Sequence, residues 1–417
     1  METSPRERRG PGGGTLIFLM IIAFMNTLGY GLVIPALPFI VRQYASSPDQ
    51  LAMLMAWLGS VYALCQFLAA PVLGALSDRF GRRPLLLLCL LGSALGYALF
   101  GLGGAIWVIF LGRIIDGLTG GNFSILAAYI ADVAKPQERS RYFGMLGAAS
   151  GAGFMVGPAA GGFLASLGYS VPAYAAAAVA LASLAWGLLA MPESLPRERR
   201  RTSFAAAELN PFKQLGAALA LPQLRWLFAA TFCFALAFAM MQSNVSVLLI
   251  DHLRWNADMI GAMFLVIGIF DIVMQGGIAG WLLPRLGEER MSVVGLVCEA
   301  AGYALMGAIV IIPSALLMLG AITLYAVGTG FREPATRGLI SQVSDEQQGM
   351  VQGGSQAIQS LATVVGPLIA GVLYAQVGHA VPYWAGALVA LLAAAAVVRS
   401  IPPLHAHRTA APAEALG

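Results

Sequence analysis

The sequence predicts an all-α membrane protein with twelve transmembrane helices in two six-helix halves and both termini cytoplasmic. Three observations carry that expectation: an oily composition, an internal repeat at about half the chain length, and a one-sided distribution of Lys and Arg. Of 417 residues, 59% are hydrophobic and 11% charged, against about 25% charged in a soluble domain. Mean hydropathy is +0.78. So little polar surface cannot cover a soluble globule, and each crossing of a bilayer takes roughly 20 mainly apolar residues.

Counted on that basis, the expected spans are residues 15–41, 51–76, 84–103, 105–131, 141–166, 170–191, 223–250, 257–283, 291–312, 314–341, 349–375 and 379–400. The first is too long for a signal peptide, holds Pro35 and Pro38, and lacks a small-residue cleavage site. Residues 1–14 form an N-terminal tail, 15–191 the first half, 192–222 a polar linker with a basic run and a short surface helix, 223–400 the second half, and 401–417 a C-terminal tail. With the termini and the even-to-odd loops on one side, that side holds nineteen Lys and Arg residues and the other only Arg42 and Arg254. The excess of positive charge assigns the termini to the cytoplasm. The net charge of +4 reports this topology, and arginines split among short loops predict no nucleic-acid partner. Cys65, Cys89, Cys233 and Cys298 fall inside spans without C-x-x-C spacing and read as apolar packing. The four histidines stand at or beyond span ends and make no metal cluster, so neither metal nor cofactor is expected.

The repeat supports the two halves. Residues 74–99, "GALSDRFGRRPLLLLCLLGSALGYAL", match 280–305, "GWLLPRLGEERMSVVGLVCEAAGYAL", at an offset of 206. Residues 142–164 match 351–373 at an offset of 209, with Gly157-Pro158 against Gly366-Pro367. Parallel repeats of this kind characterise secondary transporters, whose substrate site lies near the midplane between the halves.

Four motifs then point to a family. "GALSDRFGRRP" at 74–84 sits in the loop after the second span. In it Gly74 permits close helix approach, Gly81 allows a turn that a Cβ would strain, Asp78 can cap a helix or pair with arginine, and Arg79, Arg82 and Arg83 hold the loop in the cytoplasm. "LGYGLVIPALP" at 28–38, "LGRIIDGLTGG" at 111–121 and "GAGFMVGPAAGGFL" at 151–164 follow in the first, fourth and fifth spans. Together they resemble the major facilitator superfamily and its twelve-helix drug:H+ antiporters. "APVLGALSDRFGRRP", "YIAD" and "GPLIAGVLYA" look most like the tetracycline/H+ antiporters. The resemblance implies the major facilitator fold, a bacterial inner-membrane location, a monomer, and proton-coupled export. It also implies departures. Those exporters carry acids where Asn26 and Gly96 stand here and a histidine where Asp271 stands, whereas Glu299 keeps their ninth-span acid and Gln275 their eighth-span glutamine.

In the fifth span, Gly153, Gly157 and Gly161 give a face nearly free of side chains and Pro158 removes a backbone donor. That face reads as a hinge between the halves or as plain small-residue packing.

Ionisable residues within a membrane are costly and usually functional. Here they are Arg113, Asp116, Asp271, Glu299, Arg332, Glu333 and Arg337. Arg113 and Asp116 share a helix face and can pair, for proton coupling or as a static structural pair. Glu333 and Arg337 are four apart with the acid first, the favourable order, and read as a gate or a static pair. Arg332 and Glu333, adjacent in sequence, point about 100° apart and are poor partners, which leaves Arg332 needing an acid from another helix. Asp271 and Gln275 lie one turn apart and can face a cavity. Asn26, Tyr30, Phe123, Phe234, Phe238, Met241, Gln242, Gln275 and Tyr325 are the candidate lining of a substrate cavity, apolar with a few polar groups.

No nucleophile–base constellation and no phosphate-binding loop is present, so the expected function is transport driven by an ion gradient rather than catalysis. The reading is proton-coupled efflux of small amphipathic compounds by alternating access. The alternative is a physiological metabolite or lipid-like solute moved on the same fold.

Overall fold

The computed structural model describes residues 13–201, 216, 224–341 and 348–414. The last helix runs on to Glu414 through most of the expected C-terminal tail, whereas residues 1–12 of the expected N-terminal tail, most of the linker helix and the loop at 342–347 lie outside the described residues. Within them the chain is helical without strands: α1 Gly13–Val33, α2 Leu37–Arg42, α3 Pro48–Phe80, α4 Arg82–Leu102, α5 Ile106–Leu118, α6 Asn122–Val133, α7 Arg139–Ala165, α8 Val171–Ala190, α9 Arg225–His252, α10 Ala257–Val273, α11 Ala279–Ala308, α12 Ala315–Ser341, α13 Gln348–Val372 and α14 Val381–Glu414. Eleven stretches are long and apolar enough to cross a membrane.

Local chemistry places the boundaries. Ser47 caps α3 by accepting a hydrogen bond from the Gln50 N–H at 3.2 Å, and Pro48 opens the helix where no donor is needed. Asn256 caps α10 through the Met259 N–H at 3.0 Å. The expected first span, 15–41, is two helices: Pro35 lies in the turn between α1 and α2, where its missing N–H breaks the ladder. The expected fourth span is also interrupted, between α5 and α6 at Thr119–Gly121, directly after the buried charges of α5.

The expected spans 257–283 and 291–312 form one helical stretch of 52 residues, Ala257–Ala308. Straight, it would reach about 78 Å, far beyond a hydrocarbon core of about 30 Å. The chain turns at Gly287, whose φ of 75° and ψ of 160° are not helical. Gly81, at φ 108° between α3 and α4, is its counterpart in the repeat. Both backbones sit where a Cβ is strained.

The apolar core is shared at one end of the molecule and divided at the other. Away from the termini, Leu32, Val33, Tyr97 and Ala176 of the first half pack in one cluster with Met241, Leu248, Ile260 and Tyr303 of the second. Toward the termini, Leu86, Tyr129 and Met191 belong to a cluster of first-half residues alone, and Leu227, Leu339 and Val397 to one of second-half residues alone. Direct contacts between halves agree. The Ser60 hydroxyl of α3 donates to the Val364 carbonyl of α13 at 2.7 Å, and a Cβ at Gly162 would stand 2.7 Å from the Ala257 carbonyl oxygen. A Cβ at Gly74, Gly144 or Gly147, or at Gly276, Gly277 or Gly280 in the second half, would meet nothing within 4 Å. The halves touch at the far face and part toward the termini.

The small residues of α7 serve two seams: Gly153, Gly157 and Gly161 pack on α1 within the first half, while Gly162 packs on α10 of the second, where a seam between halves was expected. A Cβ at Gly157 would lie 2.8 Å from the Gly31 Cα and from the Leu28 carbonyl, and those at Gly153 and Gly161 would collide with the Phe24 and Leu32 carbonyls of α1. The neighbouring face reaches across to the second half: Met155 abuts Gly268 of α10, and the Pro158 carbonyl and Gly162 abut Gly261.

Candidate functional site

The buried charges form one group in each half. In the second half, α11 and α12 approach through glycines. A Cβ at Gly295 would lie 2.7 Å from the Arg332 nitrogen, and one at Gly328 would lie 2.6 Å from the Glu299 Cγ. That closeness lets Arg332, 8% exposed, reach Glu299, 1% exposed. Arg332 Nε donates to Glu299 Oε1 at 2.7 Å and NH1 to Glu333 Oε2 at 3.1 Å, while its guanidinium lies 4.2 Å from the Phe234 ring centroid. Glu333 also accepts from Arg337 Nε at 3.0 Å and NH2 at 2.8 Å. The acid that Arg332 needed is therefore Glu299. The expectation that Arg332 and Glu333 are poor partners is overturned, because the long arginine side chain bends back across the 100° between them. Pro334 lies inside the same helix.

Beside this network, Asp271 of α10 accepts a hydrogen bond from the Thr329 hydroxyl of α12 at 2.7 Å. Gln275 follows in a π-helical turn, Met274–Ile278, and is exposed. Single π turns are frequent at functional sites. Asp271 is half-buried, as is Glu333, but unlike Glu333 it has no ion pair among the described residues.

In the first half the pattern differs. Asp116, 2% exposed, accepts from the Ser93 hydroxyl of α4 at 2.9 Å, and its Oδ2 has no partner among the described residues. Arg113, 7% exposed, lies 4.9 Å from the Phe100 ring centroid and 5.4 Å from that of Tyr62, and its Nε is likewise unpartnered. The expected Arg113–Asp116 contact is absent among the described ion pairs, because the rings hold the guanidinium away. Tyr30 continues the aromatic row, 6.2 Å from Tyr62 and 6.4 Å from Phe154.

The remaining candidates divide by burial. Phe123 and Phe238 are exposed, and Asn26 and Gln242 are half-buried. Met241 and Tyr325 are each 5% exposed inside the shared apolar core, where they pack rather than line open space, contrary to expectation.

The loop between α3 and α4 is a tied structure. Arg82 bonds Asp78 at 2.6 Å and Asp132, at the end of α6, at 3.0 Å. Glu193, just after α8, accepts from the Arg82 and Arg83 backbone N–H groups at 2.8 and 3.3 Å, so it caps α4. Arg83 donates to the Leu188 carbonyl at 2.6 Å. Arg79 lies over the Phe80 ring at 5.4 Å. Gly74 faces open space. Sequence reasoning missed Ser93, Thr329, Tyr62, Asp132 and Glu193. For the last two a signal existed, since each is an acid at the same end of a span as the arginine-rich loop, which needs partners.

Comparison with known proteins agrees with this architecture. The sequence profile of the Major Facilitator Superfamily matches residues 19–298 and 227–416. The chain is similar to the class C tetracycline resistance protein of Escherichia coli, 36% identical over 361 residues, covering 86% of this chain and 89% of that one. It is 30% identical to the class H tetracycline resistance protein of Pasteurella multocida, over 90% of this chain and 92% of that one. The crystal structure of the human organic anion transporter MFSD10 (TETRAN) superimposes with a TM-score of 0.71 at 25% identity, covering 94% of this chain and all of that one. This chain belongs to the major facilitator superfamily, and it is a membrane transporter rather than an enzyme.

Proposed function

We propose that the protein is a proton-coupled exporter of small amphipathic compounds, working as a monomer in a bacterial inner membrane by alternating access. Halting the helix at Gly287 splits the 52-residue stretch into two crossings, so the chain crosses twelve times with both termini cytoplasmic and residues 15–191 and 223–400 as the moving halves. The state described is then open to the cytoplasm. The observation that carries the reading is Asp271: an acid held by the neutral groups of Thr329 and Gln275 rather than by an ion pair, half-buried beside a saturated charge network. An acid without a bound cation can take a proton from one side and release it to the other, and it can meet a cationic group of a substrate. Asp116 is the second such acid. Glu299, Arg332, Glu333 and Arg337 act as the gating framework around Asp271, and Tyr30, Phe234 and Phe238 with Asn26, Gln242 and Gln275 contribute cavity walls. The tetracycline resistance relatives support export of a drug-like, amphipathic molecule.

The test is purified protein in liposomes containing a pH-sensitive dye, with an imposed pH gradient and a panel of cationic and zwitterionic drugs including tetracycline. Substrate-induced proton flux that disappears in Asp271→Asn supports the reading. Proton flux with no member of the panel overturns it in favour of a metabolite or lipid-like solute.

A further inference from the structure

Two of the four histidines, which the sequence scatters to separate span ends, meet on the face opposite the termini. His252 ends α9, and His379 stands in the turn before α14. His252 Nε2 and His379 Nδ1 are 2.9 Å apart. Asp251 Oδ2 lies 3.3 Å from His379 Nδ1 and 3.4 Å from His252 Nε2. Three donor atoms thus form a nearly regular triangle, and the three residues are the potential metal-holding group found among the described residues. A tetrahedral zinc ion with bonds of about 2.0–2.1 Å has ligand-to-ligand edges of about 3.3 Å. The triangle has the size of one face of that tetrahedron. The side chains keep between 19 and 27% exposure, so an ion can enter and the fourth position is left for water.

The outer contacts match what a metal-bound histidine needs. His379 Nε2 lies 2.9 Å from Asp49 Oδ1. A carboxylate accepting from Nε2–H leaves Nδ1 with a free lone pair, the usual way a histidine ligand is oriented. The Tyr374 ring stacks on His379 at 4.3 Å and 7°, which fixes the imidazole plane. Two nitrogens and one carboxylate suit zinc and its neighbours, whereas magnesium and calcium take oxygen donors. Asp49 belongs to α3 in the first half, while all three ligands belong to the second.

We propose that Asp251, His252 and His379 form a site for a zinc-class divalent cation, and that Asp49 of the opposite half orients His379 for it. Occupancy then favours the state in which this face is closed. By reciprocity, closing the face raises affinity for the ion.

The experiment is zinc titration of the purified full-length chain, affinity tag removed, against a chromophoric chelator. Saturation at one zinc per chain is expected. His252→Ala and His379→Ala should each weaken it about 100-fold, and Asp49→Asn by 10–100-fold, the range for an outer-shell partner. The double variant of His405→Ala and His407→Ala, a pair at H-x-H spacing in the C-terminal tail, should bind as the natural chain does. Thermal melts without zinc identify any variant that fails to fold, and His379→Gln then replaces His379→Ala. Zinc binding that survives both ring-pair variants, or that vanishes with the tail variant, overturns the site. Zinc-independent distances between spin labels at Gly144→Cys and Gly276→Cys overturn the link to closure. No transported substrate enters these measurements, so their failure leaves the transport reading standing, and failure of transport leaves the site standing.

Discussion

In the C-terminal half, Arg332 touches two glutamates and an aromatic ring. In the N-terminal half, Arg113 touches two rings and makes no ion pair among the described residues, and Asp116 touches a serine. Both groups are buried between the same pair of repeated helices, yet one is saturated and the other retains unpartnered atoms on each member. A buried charge without a partner is costly, and a buried pair is badly hurt by losing one member. The comparison therefore assigns rigidity to the second half and a capacity for rearrangement to the first. The Glu333–Arg337 pair, whose arginine is exposed, adds little to either, since pairs open to solvent contribute about 0–1 kcal/mol.

The contrast can be broken most directly at Arg332. Arg332→Ala leaves Glu299 buried without its cation and should destabilise the folded protein by about 3–5 kcal/mol, read as a lowered melting temperature in detergent and loss of monodisperse protein. The same truncation at Arg113 removes aromatic contacts worth about 2 kcal/mol, and should cost clearly less. Equal losses at the two arginines would remove the distinction. Gly328→Ala sharpens it from the packing side: its Cβ would meet Glu299 Cγ at 2.6 Å, and overpacking of this kind costs about 1–3 kcal/mol. Asp116→Asn keeps the Ser93 hydrogen bond and should change stability by under about 1 kcal/mol, while abolishing proton-driven uptake of substrate into inverted vesicles. Retained transport in that variant would make Asp116 a static group. The smallest effect is expected at Arg337→Ala, within about 0.5 kcal/mol in the same melt.

Much of the scaffold was legible because a bilayer imposes length and polarity on every crossing. The apolar runs, the glycine at each repeated turn and the arginine-rich loop could all be read directly. Interruptions inside runs were harder. Pro35 and the Gly120-Gly121 pair are both local breakers, yet each lies in a run apolar enough overall that 15–41 and 105–131 were expected as single spans. Pairing was legible only within a helix: Glu333–Arg337 follows from spacing, whereas Arg332–Glu299 depends on how closely Gly295 and Gly328 let two helices approach. Asp251, His252 and His379 show the same limit more strongly, since 127 residues separate the two rings and no local pattern relates them.

The glycines that face open space carry a consequence for protein engineering. A helical glycine is about 1 kcal/mol less favourable than alanine, and at Gly144, Gly147, Gly276 and Gly280 nothing within 4 Å would resist the added methyl. A screen that rewards heat resistance alone should therefore enrich alanine at these positions. If the proposed alternating access holds, the winners would be sturdier proteins with poorer turnover, because the added methyls would occupy clearance that closing needs.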